Sequence, residues 1–431
     1  MAFNSFRLFT LILSLALLSG PGLAAEPIRI GSFLSLSEDA AYLGEPERQT
    51  LQLYIERINQ QGGVLERPLQ LIYFDVSDNI ERTQGAVKRL LEVDQVDLII
   101  GGSTTRTALA AIPLVEKARV PLIALAAGSQ IVEPVKPWVF KTAPTDHMAV
   151  RKIFADMQAR GIRRLALLAG QNEFGTSGSR HAATLAPGYG LEIVHNDIYS
   201  RDSTLLRAQL RHLQTDEPEA VLIFDAGEGP ALITRLYRQL ELPWPLYHSH
   251  GVASPRFIEL AQGAADGVRL PASPLLFADQ LPDTDPQKPV LIGYRDTFQQ
   301  RYHTPVSTFG GHAYDALMIA VDALRRAGAT DKAQVRQALE DTTGYLGTAG
   351  EVNMSPRDHV GVNLDGLRMV EIRNSRWYPL QTHAHPGPAR ASLPGNLARG
   401  AATENAPPLA LMPPALAPLT WENGLNGYAN E

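Results

Sequence analysis

Three observations in the sequence predict an α/β protein of two doubly wound, parallel-sheet lobes. Apolar strand patterns alternate with amphipathic helical ones from Ile28 onward. The intervening helical segments run about 10–15 residues, the length of a βαβ crossover, and right-handed crossovers wind helices onto both faces of a parallel sheet. The rhythm resumes beyond Pro144, so there are two such runs. A chain of 431 residues has room for two or three domains of about 100–200 residues each.

Hydrophobic residues make up 45% of the chain and charged ones 19%, which excludes disorder throughout. A formal charge of -6 lacks the electrostatic footprint of a nucleic-acid binder. There is no cysteine, which removes disulfides, thiol nucleophiles, cysteine-based zinc sites and iron–sulfur clusters together.

At the amino end, Arg7 precedes an apolar run of 11 residues, Leu8–Leu18, and Ser19–Gly22 breaks that helix. Gly22-Leu23-Ala24 puts small residues at the usual cleavage positions, so residues 1–25 are expected to be a secretory signal peptide cut near Ala24 or Ala25. The run is too short for a membrane anchor, which needs about 20 residues. The expected location is the periplasm.

The first lobe's pattern opens with a strand at Ile28–Phe33 and a helix at Gln49–Asn59, whose Leu51, Tyr54, Ile55 and Ile58 share one face. Gly62-Gly63 stops that helix. A strand at Leu69–Phe74, a helix at Thr83–Glu92 and a wholly apolar strand within Asp97–Gly102 follow. Next come a helix at Thr107–Lys117 and a strand at Val120–Leu125. In the second run, a helix spans Asp146–Arg160 and strands span Arg164–Leu168, Leu191–Ile198, Ala220–Phe224 and Leu246–His248. Helices near Ser203–Leu213 and Pro230–Leu240 lie between the later strands. From Gln381 to Glu431, 24 of 51 residues are Pro, Gly or Ala and no periodicity survives, which reads as a disordered tail.

Enzyme motifs are absent: there is no H-E-x-x-H, no G-x-S-x-G and no phosphate loop, and Gly227-Glu228-Gly229 lacks the third glycine of a dinucleotide fingerprint. His248-Ser249-His250 places two rings on one face of a strand, but no third metal ligand is evident and strand-end contacts are the expected role. Neither a metal nor another cofactor is expected. The informative run is Gly101-Gly102-Ser103-Thr104-Thr105-Arg106, between a buried strand and a helix. Its glycines let a ligand approach the backbone, and its hydroxyls surround a helix N-terminus that favours anions. The same residues also fit plain N-capping. Ala126-Ala127-Gly128-Ser129, after the next strand, repeats the small-residue arrangement and favours a ligand site at two adjacent strand ends.

Ile30-Gly31, Tyr42-x-Gly44, Asn59-x-x-Gly62-Gly63-Val64, Asp75, Ile99-Ile100-Gly101-Gly102, Val120-Pro121-Leu122-Ile123, Ala126-Ala127 and Tyr314-Asp315-Ala316 come in a telling order. On these residues the chain resembles the branched-chain amino-acid binding proteins of ABC transporters, in the type I periplasmic-binding fold, from about Ile28 to Leu380. The resemblance implies two lobes joined by three crossings, near Lys141–Pro144, Leu270–Phe277 and Thr342–Gly347. The lobes would comprise 26–143 plus 275–341 and 144–274 plus 342–380, closing over a ligand by hinge motion. It places the carboxylate-holding hydroxyl at or next to Thr105, with Thr104 beside it, and a backbone carbonyl at Ala126; Ser103 belongs to the candidate site through the hydroxyl run. The family's threonine falls at Gly128, with Ser129 as substitute. Aromatic positions match Tyr42, Phe174 and Phe309. The family's ammonium-pairing glutamate falls at His250, with His248 or the more remote Glu228 as alternatives, and His312, on the helix holding Tyr314, is a further cleft candidate.

The expected function is therefore the periplasmic substrate-binding component of an ABC uptake system, monomeric, not an enzyme, docking on an inner-membrane permease. The expected ligand is a small carboxylate with an apolar body. His250 cannot neutralise an ammonium, which favours an aromatic acid over a leucine-like amino acid. Docking on a receptor as a ligand sensor is the alternative, and a hydrolase using a cleft His and Asp is a third.

Overall fold

A computed structural model of the protein describes residues 25–380. The expected signal peptide, apart from Ala25, and the expected tail lie outside the described residues.

The first run forms β1 (Ile28–Leu34), α1 (Ala41–Gln60), β2 (Leu69–Asp75), α2 (Ile80–Glu92), β3 (Leu98–Gly101), α3 (Thr105–Ala118), β4 (Leu122–Ala124) and β5 (Val139–Lys141). Its five strands are all parallel, in the order β2-β1-β3-β4-β5. Helices cover both faces, so β3 and β4 are buried end to end, which is why they read as unbroken apolar runs. Helix α1 starts eight residues earlier than the apolar stripe predicts, and Tyr42 and Gly44 lie within it rather than before it.

The second run forms α4 (Asp146–Ala159), β6 (Arg164–Ala169), α5 (Glu173–Leu185), β7 (Glu192–Ile198), α6 (Ser203–Asp216), β8 (Ala220–Phe224), α7 (Gly229–Gln239), β9 (Leu246–His248), α8 (Pro255–Ala261) and β10 (Arg269–Ala272). The chain then returns to the first sheet with α9 (Lys288–Tyr302), α10 (Thr308–Ala327) and α11 (Lys332–Glu340). There Tyr294 stacks on Tyr54 of α1 and shares a 2.8 Å hydrogen bond with Thr50. A hairpin of β11 (Tyr345–Gly347) and β12 (Gly350–Val352) follows.

The last described strands, β13 (Arg368–Arg373) and β14 (Arg376–Pro379), run antiparallel on the β10 edge, giving the order β14-β13-β10-β9-β8-β6-β7. The second sheet is thus mixed rather than wholly parallel. The reason is local: β13 and β14 are joined only by Asn374 and Ser375, both at positive φ, a hairpin link too short for a parallel crossover.

The chain leaves the first sheet after β5 and returns to it after β10. The final passage comes later than the expected Thr342–Gly347. Asp315 of α10 accepts from the backbone N–H groups of Thr348 (2.7 Å) and Ala349 (3.0 Å), holding the hairpin against α10. His359 stacks on Phe140 and accepts from the Lys141 N–H through its carbonyl at 3.0 Å. Only beyond about residue 360 does the chain cross to β13. No helix among the described residues is long and apolar enough to cross a membrane.

Candidate functional site

Strand order reverses between β1 and β3 in one sheet and between β6 and β8 in the other. Crevices open at such switch points, beyond the carboxyl ends of the strands. Segments after β1, β2, β3, β4 and β5 on one side and after β6, β8 and β9 on the other line a cleft of about 120 Å3.

On the first wall, Gly102 sits at φ 79°, turning the chain sharply from β3 into α3. Ser103, Thr104 and Thr105 all line the cleft, but their hydroxyls differ in freedom. Ser103 Oγ donates to Glu47 at 2.5 Å and accepts from the Ser35 N–H at 3.1 Å. Burial pushes the Glu47 carboxyl up to about 8. Thr104 caps α3, accepting from the Thr107 N–H at 3.2 Å, and donates to Asp78 at 2.5 Å. Thr105 Oγ1 only accepts, from the Gly128 N–H at 3.2 Å. Thr105 thus keeps its hydrogen to offer, beside the free first N–H groups of α3.

Ala126 lines the same wall, whereas Gly128 and Ser129 stand behind it. A Cβ on Gly128 would lie 2.5 Å from Thr105 Cγ2, so glycine is needed for this close approach. Ser129 does not replace the family hydroxyl, because its Oγ is bonded to His181 at 2.8 Å and its N–H to Asp146 at 3.1 Å. Gly128→Thr is therefore expected to displace Thr105, with strain of about 1–3 kcal/mol. A melting temperature lowered by several degrees and a loss of ligand binding, read by scanning fluorimetry and calorimetry, are the expected results.

On the second wall, Phe174 sits in the first turn of α5, which Asn172 caps by accepting from the Gly175 N–H at 2.8 Å. Its ring meets His250 edge-on, 5.5 Å between centroids. His248 and His250 do not share a strand face: β9 ends at His248, and His250 opens a 3-10 turn capped by Ser249. His248 is bonded to Thr234 of α7 at 3.0 Å, away from the cleft. His250 Nε2 lies 3.2 Å from the Pro144 carbonyl, which only accepts, so Nε2 carries the proton. Burial pulls His250 down to about 4 and the neighbouring His312 to about 3, so both are neutral at physiological pH. Among the described residues, no group of three or more His, Asp or Glu side chains could hold a metal ion.

The walls are joined across the cleft. Tyr42 Oη accepts from the Gly227 N–H at 2.5 Å and donates to the Gly251 carbonyl at 3.3 Å. Its ring packs edge-on against Phe309, 5.4 Å between centroids. Arg106 bridges Glu173 at 2.9 Å and Asp78 at 3.8 Å, and Arg201 pairs with Asp39. The closed arrangement is the one seen. Sequence reasoning missed these charged residues at the mouth, together with Asn172 and Asp225 behind it. Each takes its meaning from a partner in another segment, on the opposite lobe for Arg106 with Glu173 and Arg201 with Asp39, and on the same lobe for Asn172 with Asp225; Arg106, directly after the hydroxyl run, was the one local signal.

A family model described as periplasmic binding protein matches residues 27–376. The chain belongs to this family. Its members are substrate-binding proteins rather than enzymes. Among curated relatives of this binding protein, the Leu/Ile/Val-binding protein homolog 7 of Brucella melitensis is 27% identical over 217 residues, 48% of this chain and 54% of that one. The alignment thus spans about half of that relative's length. Its Brucella abortus counterpart is 24% identical over 344 residues, covering 75% of this chain and 83% of that one. Among solved structures, an extracellular ligand-binding receptor from Rhodopseudomonas palustris HaA2 superposes with a TM-score of 0.77 at 23% identity, covering 82% of this chain and 99% of that one. The branched-chain amino acid transporter substrate-binding protein LivJ of Streptococcus pneumoniae, in complex with isoleucine, gives 0.72 at 19% identity, covering 82% and 98%. These structural likenesses show the fold.

Proposed function

We propose that this binding protein captures a small carboxylate with an apolar body, lacking an α-ammonium, in the periplasm and delivers it to an ABC permease. The Brucella and Streptococcus relatives, named for branched-chain amino acids and transport, support the uptake role. The ligand class is supported by a neutral His250, its Nε2–H donated to the Pro144 carbonyl, at the position the resemblance gives to the ammonium's partner. The cleft's own acids, Asp78 and Glu173 beside Arg106 and Asp39 beside Arg201, face arginines instead. An unpaired ammonium buried there would be costly. Thr105 and the α3 terminus suit a carboxylate, and Tyr42, Phe174 and Phe309 suit a flat or branched apolar body.

Calorimetry with leucine, valine, benzoate and 4-hydroxybenzoate tests the reading. Binding of an aromatic acid, with leucine weaker by about tenfold or more, is expected; an unpaired buried charge is worth at least the 1.4 kcal/mol per decade this requires. Micromolar leucine binding that survives His250→Ala, with no aromatic acid bound, overturns it.

A further inference from the structure

Lys141, the last residue of β5, is fully buried at the first passage between the sheets. Its Nζ donates to the carbonyls of Ala143 at 2.8 Å and Ala127 at 3.0 Å, both residues that line the cleft. Its backbone N–H donates to His359, on the segment that leads to the last passage, at 3.0 Å. Ala127 also accepts from the Asp146 N–H at 3.1 Å, and the next residue but none other in this loop, Gly128, donates to Thr105 at 3.2 Å. One side chain therefore ties the hinge to the loop behind the free Thr105 hydroxyl.

The two carbonyls use two N–H groups, which a neutral amine already has; an ammonium brings a third. Several groups face Lys141 from the elements around it. Asp146, at the start of α4, and Glu133, in the turn after β4, act on it through space. His250 and His312 stand on the cleft side, both neutral. His359 and its buried neighbour Glu340, 3.4 Å apart, lie beyond Phe140. Asp146 Oδ1 is already occupied by the N–H groups of Ser129 and His147.

We propose that Lys141 is a positioning residue that couples protonation to capture: an arriving carboxylate draws a solvent proton onto its Nζ, and the charge then strengthens the two hydrogen bonds that hold the Ala127 loop and the hinge in the closed arrangement. Burial lowers this amine to about 7, so the free protein can exchange that proton near neutrality. An anion nearby favours the charged form and raises the amine's pKa. The sign follows from linkage: the ligand prefers the protonated protein, so affinity is highest below about pH 7 and falls as pH rises. Each unit by which the ligand raises the pKa is worth about tenfold in affinity. The inference rests on the ligand being a carboxylate and is indifferent to an α-amine.

The test is calorimetry of benzoate and of leucine from about pH 6 to about pH 9, in two buffers of different ionisation enthalpy, on the full mature chain. The wild type should take up a fraction of a proton above about pH 7 and bind about tenfold more weakly at the alkaline end. Lys141→Arg, whose guanidinium stays charged, should bind with no uptake and a flat profile. Lys141→Met should bind weakly and equally flat; should it not fold, Lys141→Arg alone decides. Glu47, pushed up to about 8, also titrates in this range but is common to all three proteins, so the difference isolates Lys141. Binding without proton uptake, or uptake unchanged in Lys141→Arg, overturns the proposal while leaving the carboxylate reading intact. Failure of both benzoate and leucine to bind at any pH overturns both.

Discussion

Tyr42→Ala should raise the ligand dissociation constant by about 10- to 100-fold while leaving each lobe folded. The side chain supplies two hydrogen bonds that cross the cleft, to Gly227 and Gly251, and an edge contact with Phe309. Each hydrogen bond contributes about 0.5–1.5 kcal/mol net, and the aromatic pair a similar amount. At 1.4 kcal/mol per decade, the two cross-cleft hydrogen bonds alone, about 1–3 kcal/mol together, cover roughly that range. The two hydrogen bonds join opposite lobes, so their removal shifts the population toward the open form rather than damaging either core. Tyr42→Phe separates the two parts, losing the hydrogen bonds and keeping the ring. Calorimetry gives the affinity, and small-angle scattering with ligand gives the closure. An unchanged dissociation constant in Tyr42→Ala would show that the cross-cleft contacts carry none of the closing energy.

The largest loss of stability is expected from Asp225→Ala, about 2–6 kcal/mol. Asp225 is buried and accepts from Asn172 Nδ2 at 2.6 Å and from the Tyr199 hydroxyl. Burial raises its carboxyl pKa, and the two hydrogen bonds oppose that rise. Alanine leaves the buried Tyr199 hydroxyl and the half-buried Asn172 amide unpartnered, at up to about 1–3 kcal/mol each. It also frees Asn172, the cap of the helix that presents Glu173 and Phe174 to the cleft. A melting temperature lowered by roughly 4–24 °C is expected, at about 2–4 °C per kcal/mol. Asp225→Asn, which still accepts one hydrogen bond, should fall between. A melting temperature for Asp225→Ala within a degree of wild type would remove Asp225 from the framework of the second wall.

What the sequence made legible is what short-range pattern encodes. The runs Leu98–Gly101 and Ala220–Phe224 are apolar on both faces because helices cover both faces, and that is visible without coordinates. The glycine-hydroxyl run after β3 marks a strand-to-helix turn by its composition alone. Beyond that, the division of labour among Ser103, Thr104 and Thr105 depends on Glu47, Asp78 and Gly128, which come from three other segments. No local pattern tells a hydroxyl that is already bonded from one that is free. Ser129 reads as available for the same reason, yet His181 occupies its Oγ and Asp146 its N–H. The late third crossing escaped notice because Asp315, which holds Thr348 and Ala349, lies more than thirty residues upstream.

The order of segments along the chain also dictates when each sheet can be finished. Strands β6 to β10 come from one unbroken stretch, 164–272, whereas the helix that packs on α1 and β3, Thr308–Ala327, arrives roughly 190 residues after β5 ends. A ribosome adding about 5–20 residues per second needs roughly 10–40 s to cover that interval. Through it the apolar stripe of Leu51, Tyr54 and Ile58, buried in the finished protein, lacks its partner. Strands β13 and β14, at 368–379, complete the second sheet later still, so any factor that shields nascent chains from aggregation has its longest task on the segment made first.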